Sequence, residues 1–213
     1  MTQSYLHDTR TSYDTVAADY AEIVRDGGPW ERATLARFAE LVQQGGSGPV
    51  LDVGCGPGRV TALLHELGLQ ASGVDLSPGM VEVARRDHPG LTFAVGSMTD
   101  LDLPDAGLGG LIAWWSIVHL PPEVLPVAFA EFHRVLAPGG ELLLGFHVGD
   151  ERRHKKSGYG GHPMSLDVYL LPPDRIAELA TAAGLIAHTR LITDLEAAVP
   201  QACLFFRKPA AIQ

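Results

Sequence analysis

The sequence predicts an α/β fold built on a mostly parallel sheet, and three observations carry that prediction. The first is the apolar run Val50-Leu51-Asp52-Val53, followed by Gly54, Gly56 and Gly58 and then by Val60-Thr61-Ala62-Leu63-Leu64 with apolar residues at helical spacing. That is the pattern of a buried strand, a tight turn and a helix. The second is Asp75, which ends the next apolar segment about 20 residues beyond the glycine turn. The third is Leu108 to Ser116, apolar almost throughout, as a central parallel strand covered on both faces must be.

Composition narrows the function classes. A chain of 213 residues suits one domain, and 46% hydrophobic with 19% charged residues allows a sizeable core. A net charge of −9 argues against a surface that tracks nucleic-acid phosphates. The two cysteines, Cys55 and Cys203, make neither a disulfide framework nor a zinc spacing, so no metal is expected and a reducing cytoplasm is. No apolar stretch has the length of a membrane span, and the first residues lack the basic-then-apolar order of a signal peptide.

In chain order, residues 1–11 are polar and expected to be loose. A helix is expected from Tyr13 to Val24, with Tyr13, Ala17 and Tyr20 on one side, broken by Asp26-Gly27-Gly28-Pro29. A second helix from Trp30 to Val42 carries the stripe Leu35, Phe38, Ala39 and Val42. After the strand–turn–helix unit comes the strand Ala71 to Val74, tipped by Asp75; Ser77-Pro78 then starts a helix with a capping residue before a proline. Leu91 to Val95 alternates as a third strand, and Leu101 to Gly107 is a loop. The fourth strand leads through His119 into a helix from Pro122 to Leu136, which Ala137-Pro138-Gly139-Gly140 turns into a fifth strand, Glu141 to His147. Gly149 to Pro163 is polar, rich in glycine and carries Arg152-Arg153-His154-Lys155-Lys156; it is expected as a loop. Met164 to Leu171 is β-prone, Pro173 to Ala183 helical, and Leu185 to Thr193 and Ala202 to Lys208 are strands.

The glycine spacing is not the dinucleotide pattern G-x-G-x-x-G, whose sixth position falls here on Arg59 or Thr61. What stands is acid-x-Gly-x-Gly-x-Gly, beginning at Asp52. It resembles motif I of the class I S-adenosylmethionine (SAM)-dependent methyltransferases. The strings Trp-Trp-Ser-x-x-His-Leu-Pro-Pro-Glu from Trp114 and Phe-His-Arg-Val-Leu-Ala-Pro-Gly-Gly from Phe132 closely resemble bacterial small-molecule members of that family. The resemblance covers residues 12–208. It implies a Rossmann-like, seven-stranded, mostly parallel sheet with an antiparallel C-terminal hairpin and helices on both faces. It also implies a single methyltransferase domain over 1–213, with cover helices in 1–44 and a substrate lid in 148–172.

The resemblance further implies a SAM site, with S-adenosylhomocysteine as product. Gly54, Cys55 and Gly56 would pack against the ligand's methionine part and ribose, and Asp52 would help hold its amino group. Asp75 would take the ribose diol, for which a carboxylate is the suitable bidentate acceptor. Leu76 and Met80 would flank the adenine, and Ser97 and Met98 would meet its edge. Ser97 departs from the family, which usually has aspartate there. Trp115 and Ser116 would line the pocket, and Tyr13 and Tyr20, in the Y-D-x-x-A-x-x-Y arrangement, would reach the ligand from a cover helix. The alternatives are a strand–turn–helix with glycines for packing, tyrosines that only pack, an Asp75 that caps a turn, and a solvated charge run in place of a lid.

Methyl transfer from a sulfonium is an in-line displacement, so a protein mainly aligns the nucleophile and removes water. For a hydroxyl or phenol acceptor a general base helps. His119, just past the fourth strand, is the first candidate, and His147, at the end of the fifth, the second; a purely structural His119 is the alternative. The expected partner is a small-molecule substrate, with neither nucleic acid nor membrane; acceptor and oligomeric state are left open. Two competing functions remain: a SAM-binding protein of this fold that does not methylate, and a nicotinamide-dependent oxidoreductase, which the missing sixth-position glycine disfavours.

Overall fold

The computed structural model of the chain describes residues 2–28, 30–46 and 48–210; Pro29, placed above among the breakers of the first helix, lies outside the described residues. Seven strands form one sheet in the order β3-β2-β1-β4-β5-β9-β8. They are β1 (Val50–Val53), β2 (Ala71–Asp75), β3 (Thr92–Val95), β4 (Leu108–Trp114), β5 (Leu136–His147), β8 (Ile186–Thr193) and β9 (Gln201–Arg207). Strands β3, β2, β1, β4 and β5 run parallel. Strand β9 is antiparallel to both β5 and β8, which closes the sheet with the expected hairpin. The carboxyl ends of the parallel strands therefore share one rim, and the order reverses between β1 and β4, where open sheets of this kind place their ligands.

Side-chain alternation sorts the core onto two faces. Val50, Ile112, Trp114 and Leu143 pack with α2 (Glu31–Gln44) and α3 (Arg59–Glu66) through Leu35, Phe38, Val42, Val60 and Leu64. Leu51, Val53, Leu111, Ala113, Leu142 and Leu144 point the other way, onto Phe129 and Phe132 of α5 (Leu125–Val135) and Ile176 of α6 (Pro173–Ala182). Phe38, Phe129, Phe132 and Phe206 are all fully enclosed, each worth about 1.5–3 kcal/mol of transfer from water. Helix α4 (Pro78–Asp87) covers β3, with Val81 and Ala84 against Phe93.

Two stretches differ from the sequence expectation. Residues 2–11 are not loose: α1 is one helix, Thr2–Ile23, and Met1 lies outside the described residues. Its N-terminal half has weak intrinsic amphipathicity, but Tyr5 packs on the core and Ser12 is buried, so tertiary contacts stabilise what propensity alone does not. The polar stretch after β5 is not a loop either. It contains β6 (Glu151–Gly158), paired antiparallel with β7 (His162–Leu170) from Glu151↔Leu170 to Gly158↔His162. The alternation that marks this hairpin sits in β7, where Met164, Leu166, Val168 and Leu170 are buried. Strand β6 is exposed over seven of its eight residues and carries no such signal. The predicted boundaries at α5 and β5 shift by a few residues only, α5 beginning at Leu125 and β5 at Leu136.

Helix α1 is tied to both sides of the site. The Ser77 hydroxyl caps α4 by accepting from the Met80 N–H at 3.0 Å, and donates to Asp14 Oδ1 at 2.6 Å. The Gly79 N–H donates to the same oxygen at 2.9 Å. On the opposite side the Ser12 hydroxyl accepts from the Ser165 N–H of β7 at 3.1 Å. Replacing Asp14 by Ala removes the acceptor of two donors. The expected cost is about 1 kcal/mol, measured as a lower urea midpoint, together with faster proteolysis within residues 2–23.

Candidate functional site

The β1–α3 turn is shaped for close approach. Gly54 has φ +72°, and a Cβ there would collide with the Ser116 side chain; Gly58 has φ +83° and would put a Cβ 2.7 Å from the Phe93 ring. These conformations and contacts exclude side chains and leave backbone facing outward. Asp75 at the tip of β2 is held by this turn: its Oδ2 accepts from the Gly56 N–H and its Oδ1 from the Ser77 N–H, both at 2.8 Å. Burial raises its pKa and the two backbone donors oppose that shift. Each carboxylate oxygen keeps a lone pair for a further donor. Asp75 lines a cavity of about 730 Å³ together with Gly54, Gly56, Leu76, Met80, Ser97 and Met98. Ser97 is partly committed already, its hydroxyl sharing a 2.8 Å bond with Thr99 Oγ1 and accepting from the Thr99 N–H at 3.3 Å.

Beside the turn lies a second cavity, of about 770 Å³, with Asp52 and Arg59 on its wall. Asp52 Oδ2 accepts from the Thr61 hydroxyl at 2.7 Å, while Oδ1 is buried without a partner. Burial pushes this carboxyl up to about 7, against the lowering effect of Thr61. Arg59 makes a two-point pair with Glu31 at the start of α2, Nη2 lying 2.7 Å from Oε2, and the same Oε2 accepts from the Trp114 Nε1–H at 2.9 Å. The Arg59 Nε–H is buried without a partner. An unpaired carboxyl oxygen and an unpaired guanidinium N–H thus belong to two residues that line one cavity. Cys55 fills the space under the turn against Gly73, and burial holds its thiol well above the usual range. Burial pushes Cys203 up to about 12, so neither sulfur is a ready nucleophile.

The third part of the site begins where β4 ends. Trp115 has φ +56°, a costly conformation for an aromatic residue. It is held there by its N–H on the Gly145 carbonyl at 2.9 Å, and next to it the Ser116 hydroxyl donates to the Val53 carbonyl at 2.7 Å. The chain then makes a 3-10 turn, Ile117–His119. His119 Nδ1 lies 3.1 Å from the Asp167 carbonyl of β7, which can only accept, so Nδ1 carries the ring proton. Nε2 is therefore the acceptor, and the Tyr13 hydroxyl donates to it at 2.7 Å. Burial pushes His119 down to about 4 and raises Tyr13 well above the phenol range. The pair at neutral pH is a neutral imidazole facing a protonated phenol. Tyr13, Tyr20 and Tyr159 form an aromatic cluster around it, with Tyr20 edge-on to Tyr159 at 4.8 Å.

His147, at the end of β5, stacks on Trp115 at 5.0 Å, and its buried Nδ1 has no partner. Both rings line a third cavity of about 1070 Å³, walled on one side by the β6–β7 hairpin. Tyr20, Trp114 and Trp115 line all three cavities. Of the four non-glycine residues with positive φ among the described residues, Trp115, Tyr159 and Asp194 all border the third cavity. Strained backbone concentrated at one cavity is the pattern of a functional site. Among the described residues no group of His, Cys, Asp and Glu is arranged to hold a metal, and no helix is long and apolar enough to cross a membrane.

Every residue singled out from the sequence thus borders this connected space. Leu76, Met80, Ser97, Met98, Ser116 and Asp75 fall on the first cavity, Asp52 and Cys55 on the second, and His147 on the third; His119 and Tyr13 join the first to the third. Sequence reasoning missed Tyr5, Leu6, Thr9 and Arg10, which line the first cavity from α1. They continue the stripe of Tyr13 backward at helical spacing, a signal hidden by the polarity between them. It also missed Arg59 and Glu31, and Lys155 and Tyr159 of the hairpin. Nothing in the local sequence joins these pairs.

Residues 50–140 match the model of a family described as a methyltransferase domain. Among curated proteins, the chain is 36% identical over 135 residues to the malonyl-[acyl-carrier protein] O-methyltransferase of Serratia marcescens, an alignment covering 62% of this chain and 47% of that one. The chain spans about half the length of the curated relatives it matches. Its fold is that of the 1,6-didemethyltoxoflavin-N1-methyltransferase of Burkholderia thailandensis, with a TM-score of 0.73, 23% identity and coverage of 98% of this chain and 91% of that one. It is also that of the [4+2]-cyclase SpnF, with a TM-score of 0.72, 19% identity and coverage of 95% and 96%.

The depressed His119 has a measurable consequence. Its folded pKa lies below the ordinary 6.5, so the unfolded chain takes up a proton there before the folded protein does. His119 therefore contributes stability above about pH 6.5 that is lost as the pH falls towards 4. In NMR titrations its ring signals should stay those of the Nδ1–H tautomer down to about pH 5, and His119→Gln should flatten the stability profile over that window.

Proposed function

We propose, the chain carrying in residues 50–140 a methyltransferase domain of the class I SAM-dependent family, that this protein transfers the methyl group of SAM to a small-molecule acceptor. The observation that carries the proposal is the meeting of three cavities at Tyr20, Trp114 and Trp115, each with the polar groups one part of the reaction needs. The first offers the oriented carboxylate of Asp75 to the ribose diol, with Leu76 and Met80 for the adenine faces and Ser97 and Met98 for its edge. The second offers Asp52 Oδ1 to the ammonium and the Arg59 Nε–H to the carboxylate of the methionine part. Those two buried unpaired groups are complementary to a zwitterion. Gly54 and Gly56 permit the backbone approach between the two cavities, over the packed Cys55.

SAM bound there supplies an electrophilic methyl on a sulfonium that is its own leaving group. The acceptor binds in the third cavity, under the hairpin within residues 148–172 that serves as its wall. His119 is held by the Asp167 carbonyl with Nε2 as its basic nitrogen. For a hydroxyl acceptor, the oxygen would form its bond to the methyl carbon as the carbon–sulfur bond breaks, and the hydroxyl proton would pass to the Tyr13 oxygen as Tyr13 gives its own proton to His119 Nε2. Tyr13 and Ser116 hold the two sides of this junction in register, and Tyr20 and Trp115 exclude water from it. A low pKa makes His119 a weak base but keeps it unprotonated throughout the neutral range, so the proton need only move as the new bond forms. His147, on the far wall, contacts the acceptor. The protein acts as a cytoplasmic enzyme on this reading, without nucleic acid or membrane.

A second reading is favoured by one finding: a cyclase shares the fold over nearly the whole chain, so donor binding without methyl transfer is the competing outcome. Calorimetry with S-adenosylhomocysteine tests the donor site. Asp75→Ala should weaken binding by two orders of magnitude or more, for two lost charge-assisted bonds at about 1.5–3 kcal/mol each. Unchanged affinity would overturn the assignment. Because Asp52 sits near 7 in the free protein, pairing with an ammonium should ionise it. Binding heats at pH 6.5 should then vary with the ionisation heat of the buffer, and Asp52→Asn should remove that variation. Transfer of labelled methyl to a small molecule, reduced about 100-fold in His119→Gln with donor affinity kept, separates the enzyme from the non-methylating protein.

A further inference from the structure

The β6–β7 hairpin distributes its charges unequally between its two faces. Directly opposed residues share a face, and the register sets Lys155 opposite Leu166 and Arg153 opposite Val168. Leu166 and Val168 are buried against the body of the protein, so Arg153 and Lys155 point inward, over the mouth of the third cavity. The outward residues Arg152 and His154 both lie against Asp167, at 3.4 and 2.8 Å. On the inner face Arg153 is paired with Glu151. Lys155 has no carboxylate within 4.0 Å among the described residues; its Nζ stands 5.4 Å from the centre of the Tyr159 ring.

Across the mouth from Lys155 is His147, whose buried Nδ1 lacks a partner and whose proton affinity is lowered by burial, by Lys155 and by Arg153. A cation and an unused imidazole nitrogen thus border one cavity, in a chain whose net charge is −9. Two carboxylates also border it. Glu31 is taken by Arg59 and Trp114, and Asp194 lies at the β8 end beside Thr193 and Gln201, not in contact with Lys155. The rings of Trp30, Trp115 and Tyr159 are among its other walls.

We propose that the acceptor is a small hydroxy-aromatic acid, its carboxylate bound by Lys155 beside the His147 ring and its own ring among Trp30, Trp115 and Tyr159. The hydroxyl then lies towards Tyr13 and His119. The proposal rests on the functional reading above for the place of the methyl donor, and on the hairpin geometry for the charge. A carboxylate there pairs with the Lys155 cation, whereas a neutral acceptor leaves that cation without an anion.

The test is calorimetry on the whole chain with matched probes, salicylate against salicylamide and 4-hydroxybenzoate against 4-hydroxybenzamide, each with and without S-adenosylhomocysteine. At least one acid should bind about tenfold or more tightly than its amide, the scale of a charge-assisted bond. Lys155→Met should bring that ratio close to one, and Lys155→Arg should keep it. Lys155 is exposed on its strand, so neither variant should disturb folding or S-adenosylhomocysteine affinity. Equal affinity for acid and amide, no binding of either acid, or a preference that survives Lys155→Met would each overturn the proposal. Loss of S-adenosylhomocysteine binding alone, with the acid preference intact, would overturn the donor assignment and leave this one standing.

Discussion

A single carboxylate couples the two turns on which the site is built. Asp75 leaves β2 and is gripped by one N–H from the glycine turn after β1 and one from the start of α4. Each turn alone is a short irregular segment at the open rim of a sheet. With one carboxylate accepting from both, neither can move independently, and each oxygen keeps a lone pair at the cavity that Asp75 lines. Burial of that charge is unfavourable, and the two backbone donors offset it. The arrangement thus holds its charge ready for further donors before any ligand arrives.

Helix α1 extends the same logic across the site. Asp14 accepts from the Ser77 hydroxyl and the Gly79 N–H at the start of α4, and Ser12, on the other side, accepts from β7. Between these two anchors the helix carries Tyr13, whose hydroxyl bonds His119. One helix therefore touches the side that would hold the donor, the His119 ring, and the hairpin that would wall the acceptor. The His119 ring is set from both ends, by the β7 carbonyl on Nδ1 and the α1 phenol on Nε2. Its tautomer is a property of the assembled structure and not of the residues next to it in the chain.

The strained backbone at Trp115 belongs to this same assembly. A left-handed tryptophan at the end of β4 turns the chain so that its ring lies on His147 and its neighbour Ser116 bonds the end of β1. The ring of Trp114, buried beside it, reaches Glu31 and so touches the Arg59 pair. Two adjacent residues at the end of β4 thereby link the part of the site that would hold the methionine part to the part that would hold the acceptor.

How much of this was legible in the sequence follows from the range of the forces involved. Strand, turn and helix at residues 50–67, the cap at Ser77-Pro78 and the apolar β4 depend on periodicity, φ preference and local capping, which act over a few residues. The parallel sheet and the positions of Asp52, Asp75 and His119 at its rim were therefore readable, as was the closing hairpin once the family resemblance was added. The first half of α1 was not, because its helix is stabilised by contacts with α4 and β7. Nor was β6, whose partner strand holds all the apolar alternation. The sequence by itself determined the sheet and the rim residues. Only the tertiary structure decided the Arg59–Glu31 pair, the tautomer of His119 and the inward face of Lys155, because each depends on a hydrogen bond, ion pair or strand register between segments far apart in the chain.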